Sequence, residues 1–273
     1  MYLCKKQPVM KKNRSFSGGT ISYTINGNGP CVVLLHGFLE SGVIWEKFTA
    51  SLSEHYTVVC PDLPGHGKSS VFDPTHTMEF MAHAVADLLN AEAITQAVIT
   101  GHSMGGYVAL AFARIFPDLV KGLVLFHSHA SADPEEIKAN RIRTIKIVKE
   151  DRQGFIKAFI PGLFAPDNKE LFAPVIRQLQ QESLKTSAAG IVAALNGMMY
   201  RKSGLTTLSN AVFPVLFIAG KQDSRIPLEK ILAQMVLPPH AEALILDNTG
   251  HMGFVEAPET TLKTLSCFIK KCY

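Results

Sequence analysis

Residues Ala97-Val98-Ile99-Thr100 are a short apolar, β-branched run, and they lead directly into Gly101-His102-Ser103-Met104-Gly105-Gly106. Beyond that, Met104 to Phe116 carries apolar residues at helical spacing. The segment therefore predicts strand, abrupt turn, helix, with a serine at the turn and a glycine two places to either side. A turn this sharp strains the serine backbone and lifts its hydroxyl clear of the sheet. It also packs the flanking backbone too tightly for side chains at 101 and 105. The start of the following helix offers unpaired N–H groups and positive potential beneath Ser103. Ser103 is the candidate nucleophile.

The same alternation extends in both directions. Strands are predicted at Thr20 to Ile25, Cys31 to Leu35, Thr57 to Cys60, Gly122 to Phe126, Val215 to Ala219 and Ala243 to Leu246. Between them lie helix-length amphipathic segments at Trp45 to Ser53, Thr77 to Leu89 (with Thr77 as N-cap), Leu228 to Met235 and Glu259 to Lys270. A βαβα order with continuous apolar strands predicts an α/β fold. Its central sheet is mostly parallel, with helices on both faces. The rhythm breaks between residues 131 and 208, a mainly helical stretch punctuated by Pro161, Pro166 and Pro174. The expected organisation is a basic, flexible tail at 1–18, a core of 19–130 and 209–273, and a helical insertion at 131–208.

Composition narrows the function classes. The 273 residues hold 27 Lys plus Arg against 23 Asp plus Glu, but Lys5, Lys6, Lys11, Lys12 and Arg14 all precede residue 15. Removing those five leaves 22 basic and 23 acidic residues, so the folded body is close to neutral. That argues against a nucleic-acid-binding face. No apolar run is long enough to span a membrane. The N-terminal charges are not followed by the apolar core of a signal peptide. The five cysteines (Cys4, Cys31, Cys60, Cys267, Cys272) are scattered, without CxxC or zinc spacing, which fits a reducing cytoplasm.

A serine hydroxyl is a weak nucleophile and needs a base held by a third group. His251, in Gly250-His251-Met252-Gly253, directly follows the last predicted strand. Asp223, in Gly220-Lys221-Gln222-Asp223, directly follows the strand before it. Both then lie at the carboxyl edge of a parallel sheet, where Ser103 also sits. The other histidines read more simply. His36 and His66 stand beside glycines in tight turns. His102 packs beside the serine turn. His127-Ser128-His129 lacks convincing further metal ligands and is expected to line the pocket. Glu40 and Ser41 flank the early loop as solvated polar residues or as substrate contacts. Lys138, Arg141, Arg143, Lys146 and Lys149 read as a solvated basic face of an inserted helix, or as an attractor of anionic substrate.

Five motifs in order resemble the α/β-hydrolase superfamily: His36-Gly37-Phe38, Asp62-Leu63-Pro64-Gly65-His66-Gly67-Lys68-Ser69, Gly101-His102-Ser103-Met104-Gly105-Gly106, Gly220-Lys221-Gln222-Asp223 and Gly250-His251. The resemblance covers nearly the whole chain after Gly19, apart from the insertion. It implies a serine hydrolase, esterase-like or enol-lactonase-like, with Ser103 as nucleophile, His251 as base and Asp223 as acid. Oxyanion donors would be the backbone N–H groups of Phe38 and Met104. The insertion would be a helical cap over the site.

Some members carry the acid after the earlier strand, which makes Asp133 the alternative to Asp223. The expected substrate is a small carboxylic ester or lactone, with no cofactor or metal required. The same triad also serves C–C bond hydrolysis, and the menaquinone-pathway lyase shares several motifs. That family usually has an arginine where this chain has Tyr107. A ligand-binding receptor on a hydrolase scaffold is the alternative from another class. The sequence does not indicate an oligomeric state.

Overall fold

The computed structural model describes residues 10–273. In chain order the elements are β1 (Met10–Phe16), β2 (Gly19–Asn26), β3 (Cys31–Leu35), α1 (Glu46–Leu52), β4 (Thr57–Pro61), α2 (Met78–Ala91), β5 (Ala97–His102), α3 (Met104–Ile115) and β6 (Val120–Phe126). Then come α4 (Glu135–Phe159), α5 (Ala173–Ser183), α6 (Ala188–Met199), α7 (Leu205–Ser209), β7 (Val215–Gly220), α8 (Leu228–Met235), β8 (Ala241–Leu246), α9 (Gly253–Glu256) and α10 (Pro258–Cys272). The eight strands form one sheet in the order β1-β2-β4-β3-β5-β6-β7-β8. Pairing is parallel from β4 to β8, and only β1–β2 and β2–β4 are antiparallel.

The strand chemistry explains the layering. Val32, Val33, Leu34, Val98, Ile99, Leu123, Val124 and Phe217 are all fully buried, as expected for parallel strands covered on both faces. Helix α2 buries Met78, Met81, Ala82, Val85, Leu88 and Leu89, one stripe at three- and four-residue spacing. Its N-cap Thr77 accepts a hydrogen bond from the Phe80 N–H, as the sequence predicts. Helix α3 is apolar all round and packs on β5, β6 and α2. The predicted helix at Trp45 begins one turn earlier, as a 3-10 turn over Gly42–Trp45 that leads into α1.

One expectation needs correction. Residues 10–16 do not belong to a flexible tail. They form β1, an edge strand in full register with β2. The connecting residues Ser17 and Gly18 both have positive φ (47° and 79°), the backbone of a tight hairpin. Lys12 pairs with Glu92 at 2.8 Å, and Arg14 pairs with Asp87 at 2.7 Å. A strand written Met-Lys-Lys-Asn-Arg-Ser-Phe has no apolar face to announce itself. Cationic side chains are also what protects a sheet edge from further pairing. Lys5 and Lys6 lie outside the described residues.

The segment between β6 and β7 holds α4 to α7. Helix α4 is broken at Asp151 (φ −141°, ψ 79°), whose carboxylate accepts the Gly154 N–H at 2.8 Å and so caps the second half. Among the described residues no helix is long and apolar enough to cross a membrane.

Candidate active site

Because β3 and β5 to β8 run parallel, their carboxyl ends converge at one edge. The loops after them carry Phe38, Ser103, His127, Asp223 and His251 respectively. Ser103 has φ 51° and ψ −114°, a left-handed conformation that is costly for a residue with a side chain. Its surroundings enforce it. A Cβ at Gly101 would lie 2.3 Å from the Gly105 carbonyl oxygen, and one at Gly105 would lie 2.5 Å from that of Leu35. The Ser103 N–H is tied to the Phe126 carbonyl at 2.9 Å, and its own carbonyl accepts from Ser128 Oγ at 2.8 Å.

Asp223 is buried, and its carboxylate takes part in four hydrogen bonds. Oδ2 faces His251 Nδ1 at 2.8 Å and His127 Nδ1 at 3.1 Å. Oδ1 accepts the N–H groups of Arg225 (2.8 Å) and Ile226 (3.0 Å). Burial alone would raise its pKa. The attraction of His251 and the hydrogen bonds from both rings outweigh burial, so Asp223 is held far below the ordinary carboxylate range.

His127 Nε2 accepts the Gly253 N–H at 3.2 Å, so its proton sits on Nδ1 and points at Asp223. Burial, only partly opposed by Asp223, pushes this ring down to about 4 and keeps it neutral. The donor atoms of His127, Asp223 and His251 lie close enough together to suggest a metal site. With both His127 nitrogens committed to hydrogen bonds, that ring has no lone pair to offer a metal.

Asp133, the alternative acid, is engaged elsewhere. Its carboxylate lies between Arg141 (Nε at 2.5 Å) and Arg201 (Nη1 at 2.7 Å), at the start of the inserted segment. The structure brings Asp223, not Asp133, to His251.

Beneath the serine turn lies a pair that sequence reasoning did not resolve. Glu40 is buried, not solvated. Its Oε2 accepts the Gly37 N–H at 2.5 Å and lies 2.9 Å from His102 Nδ1. His102 Nε2 lies 2.9 Å from the His251 carbonyl oxygen, which can only accept. With Glu40 ionised, both nitrogens of His102 donate, which is the arrangement of an imidazolium. Burial opposes that charge, but the attraction and hydrogen bond of Glu40 outweigh it and raise His102 above its ordinary value. Glu40 is correspondingly held low: burial works against it, and His102 prevails.

His36 is structural, as expected: Nε2 accepts the Leu63 N–H at 2.9 Å, and Nδ1 donates to Gly37 O at 2.8 Å. Glu256 is a further unpredicted anchor. One oxygen accepts from Gly250 N (3.0 Å), beside His251, and the other accepts from Ala165 N (2.9 Å) in the inserted segment.

Ser103 and His251 share a cavity of about 400 Å³, to whose lining the segment between β6 and β7 contributes Phe155, Phe159, Leu163 and Met198. Among the described residues, neither the Phe38 nor the Met104 N–H donates a hydrogen bond, so both remain available to a bound oxygen.

A family model described as the alpha/beta hydrolase fold matches residues 30–258. The chain belongs to this family and is an α/β-hydrolase enzyme. A thermophilic esterase from Thermogutta terrifontis, solved with malate bound, is 31% identical and superposes with a TM-score of 0.90, over 97% of this chain and 99% of that one. The enol-lactonase of Burkholderia xenovorans LB400 superposes with a TM-score of 0.88 at 22% identity, over 95% of this chain and all of that one. In sequence, the pimeloyl-[acyl-carrier protein] methyl ester esterase of Xanthomonas campestris is 29% identical across 89% of this chain and 96% of its own length.

Proposed function

We propose that this hydrolase cleaves a small carboxylic ester or lactone through an acyl-enzyme on Ser103. The observation that carries the reading is the meeting of a strained, glycine-flanked Ser103 with a His251 held by Asp223 at 2.8 Å, at the wall of one cavity. In this reading Ser103 attacks the carbonyl while His251 takes its proton. Asp223 fixes the imidazole tautomer and stabilises the imidazolium as it forms. The N–H groups of Phe38 and Met104 receive the developing oxyanion, each worth roughly 3 kcal/mol in the transition state. His251 then protonates the leaving alkoxide, and water, activated by the same ring, releases the acid.

The helical insertion serves as a cap that excludes water and shapes the acyl pocket. The esterase and lactonase relatives support this choice of substrate class. A reducing cytoplasm suits the four described cysteines, all free thiols.

The test is turnover of a p-nitrophenyl ester series by the purified protein and by Ser103→Ala. Serine-dependent hydrolysis is expected, with kcat lowered on the order of a million-fold in the variant. A Ser103→Ala protein of undiminished activity would sink the reading.

A further inference from the structure

We propose that the substrate carries a carboxylate, received by Arg141 of α4, with Arg225 at the wall of the same cavity as a second cation. This names the substrate class of the site above and rests on the serine-hydrolase reading.

The basic run of α4 divides by face. Ile137, Asn140, Arg141 and Thr144, at three- and four-residue spacing, line the cavity that holds Ser103. Lys138 and Arg143 lie outside it, bound to Glu135 and Asn140 at 2.7 Å each. One member of the run, Arg141, therefore presents its charge to the site.

That charge is not fully compensated. Asp133 is one carboxylate shared by two guanidiniums. Arg201 is buried, and its two terminal nitrogens are occupied: they donate to Met198 O and Ser131 O at 2.9 Å each, and the guanidinium stacks 4.0 Å from the Tyr107 ring centre. Arg141 is more open. Beyond Asp133, among the described residues its Nη1 meets only Met198 Sδ, at 3.5 Å, and sulfur is a weak acceptor.

Arg225 has no carboxylate partner among the described residues. Its guanidinium rests over the Phe159 ring at 4.3 Å, with a long 3.5 Å contact to the Phe159 carbonyl. Among the described residues, the one carboxylate on the cavity wall is Glu40, which is paired with His102. The wall is therefore cationic in sum, and around the two guanidiniums Phe155, Phe159 and Met198 supply apolar surface beside polar groups such as Asn140 and Thr144. A guanidinium presents paired donors that match the two oxygens of a carboxylate.

The experiment compares two esters of one chain length: the p-nitrophenyl monoester of adipic acid, with its far carboxylate free, and the same molecule capped as the methyl ester. At low ionic strength the wild-type enzyme should favour the free acid in kcat/KM by about tenfold or more, the size of one charge-assisted hydrogen bond. Arg141→Met should bring that ratio toward one, chiefly through KM. Arg141→Lys should retain part of it, and Arg225→Met should lower it less. Asp133 keeps Arg201 in all of these variants, and circular dichroism with thermal melting checks their fold.

A wild-type ratio of one or below, or a ratio that Arg141→Met leaves unmoved, overturns the proposal while the hydrolase reading stands. Failure to turn over either ester instead counts against that reading. Calorimetric titration with adipate then tests the subsite alone. Binding by wild type that is lost in Arg141→Met supports it, and no binding by wild type overturns it.

Discussion

His102 and Glu40 stand 62 positions apart in sequence, yet their Nδ1 and Oε2 atoms lie 2.9 Å apart, with both side chains almost fully buried. The pair joins three loops. Glu40 holds the Gly37 N–H of the loop that bears Phe38, His102 abuts Ser103, and the far side of the His102 ring holds the main chain of His251. Glu40→Gln leaves an imidazolium buried without its counter-ion, so stability should fall by about 3–5 kcal/mol. Replacing both, as Glu40→Gln with His102→Asn, should cost clearly less than the two single losses added. Urea unfolding of the four proteins measures that coupling. Strict additivity would show that the two groups do not act as a charged pair.

His127 gives Asp223 a second imidazole donor, through a proton whose place is fixed by the Gly253 N–H on the opposite nitrogen. His127→Phe keeps a ring beside Phe126 but removes both hydrogen bonds. An unpaired buried polar group costs about 1–3 kcal/mol, so kcat should drop roughly 5- to 150-fold with KM little changed. Steady-state kinetics on one p-nitrophenyl ester tests this, and an unchanged kcat would remove His127 from any positioning role.

The two aspartates should fail differently. Asp223→Asn is expected to preserve the fold and to lower kcat by about 10⁴, through loss of the correct His251 tautomer. Asp133→Asn leaves Arg201 buried without a carboxylate, and the expected cost is about 3–5 kcal/mol of stability. Its kcat per folded molecule should remain within about tenfold of wild type, in contrast to the loss of Asp223. Melting curves and kinetics on both variants separate the outcomes, and a reversed pattern would transfer the acid role to Asp133.

Acid should destabilise the protein well before its carboxylates titrate. Burial pushes His66 to about 3, His127 to about 4 and His129 to about 3, against an ordinary value of 6.5. Below pH 6.5 the unfolded chain takes up protons that these native rings refuse. Stability therefore falls as pH drops, by up to about 1.4 kcal/mol per pH unit for each ring. His102 has the opposite sign. Its contribution is complete below 6.5 and is lost as pH rises through its elevated native value. Urea midpoints taken from pH 7.5 down to 5 should decline steeply below 6.5, and a flat profile would contradict the neutral state of the three buried rings.

Much of this molecule is legible in its sequence because the relevant constraints are local. Glycines at 101 and 105 are required by backbone contacts of 2.3 and 2.5 Å within or beside the turn. Continuous apolar strands such as Cys31–Leu35, and the Leu228–Met235 helix, fall within the bounds that periodicity gives. Once the parallel order is known, the loops bearing Ser103, Asp223 and His251 must share an edge, so the candidate triad follows from strand order alone.

Tertiary structure decided the rest, since it depends on which distant groups meet without water. Periodicity does not mark Glu40 as buried, because only the fold brings His102 to neutralise it. The β1 strand has no continuous apolar face and is held by pairing with β2, by Phe16 against Phe72 and Phe80, and by Asp87 and Glu92, contacts invisible to a local pattern. Asp133 and Asp223 are equivalent as letters. Two arginines claim one and two histidines claim the other, and that assignment exists only when the chain is folded.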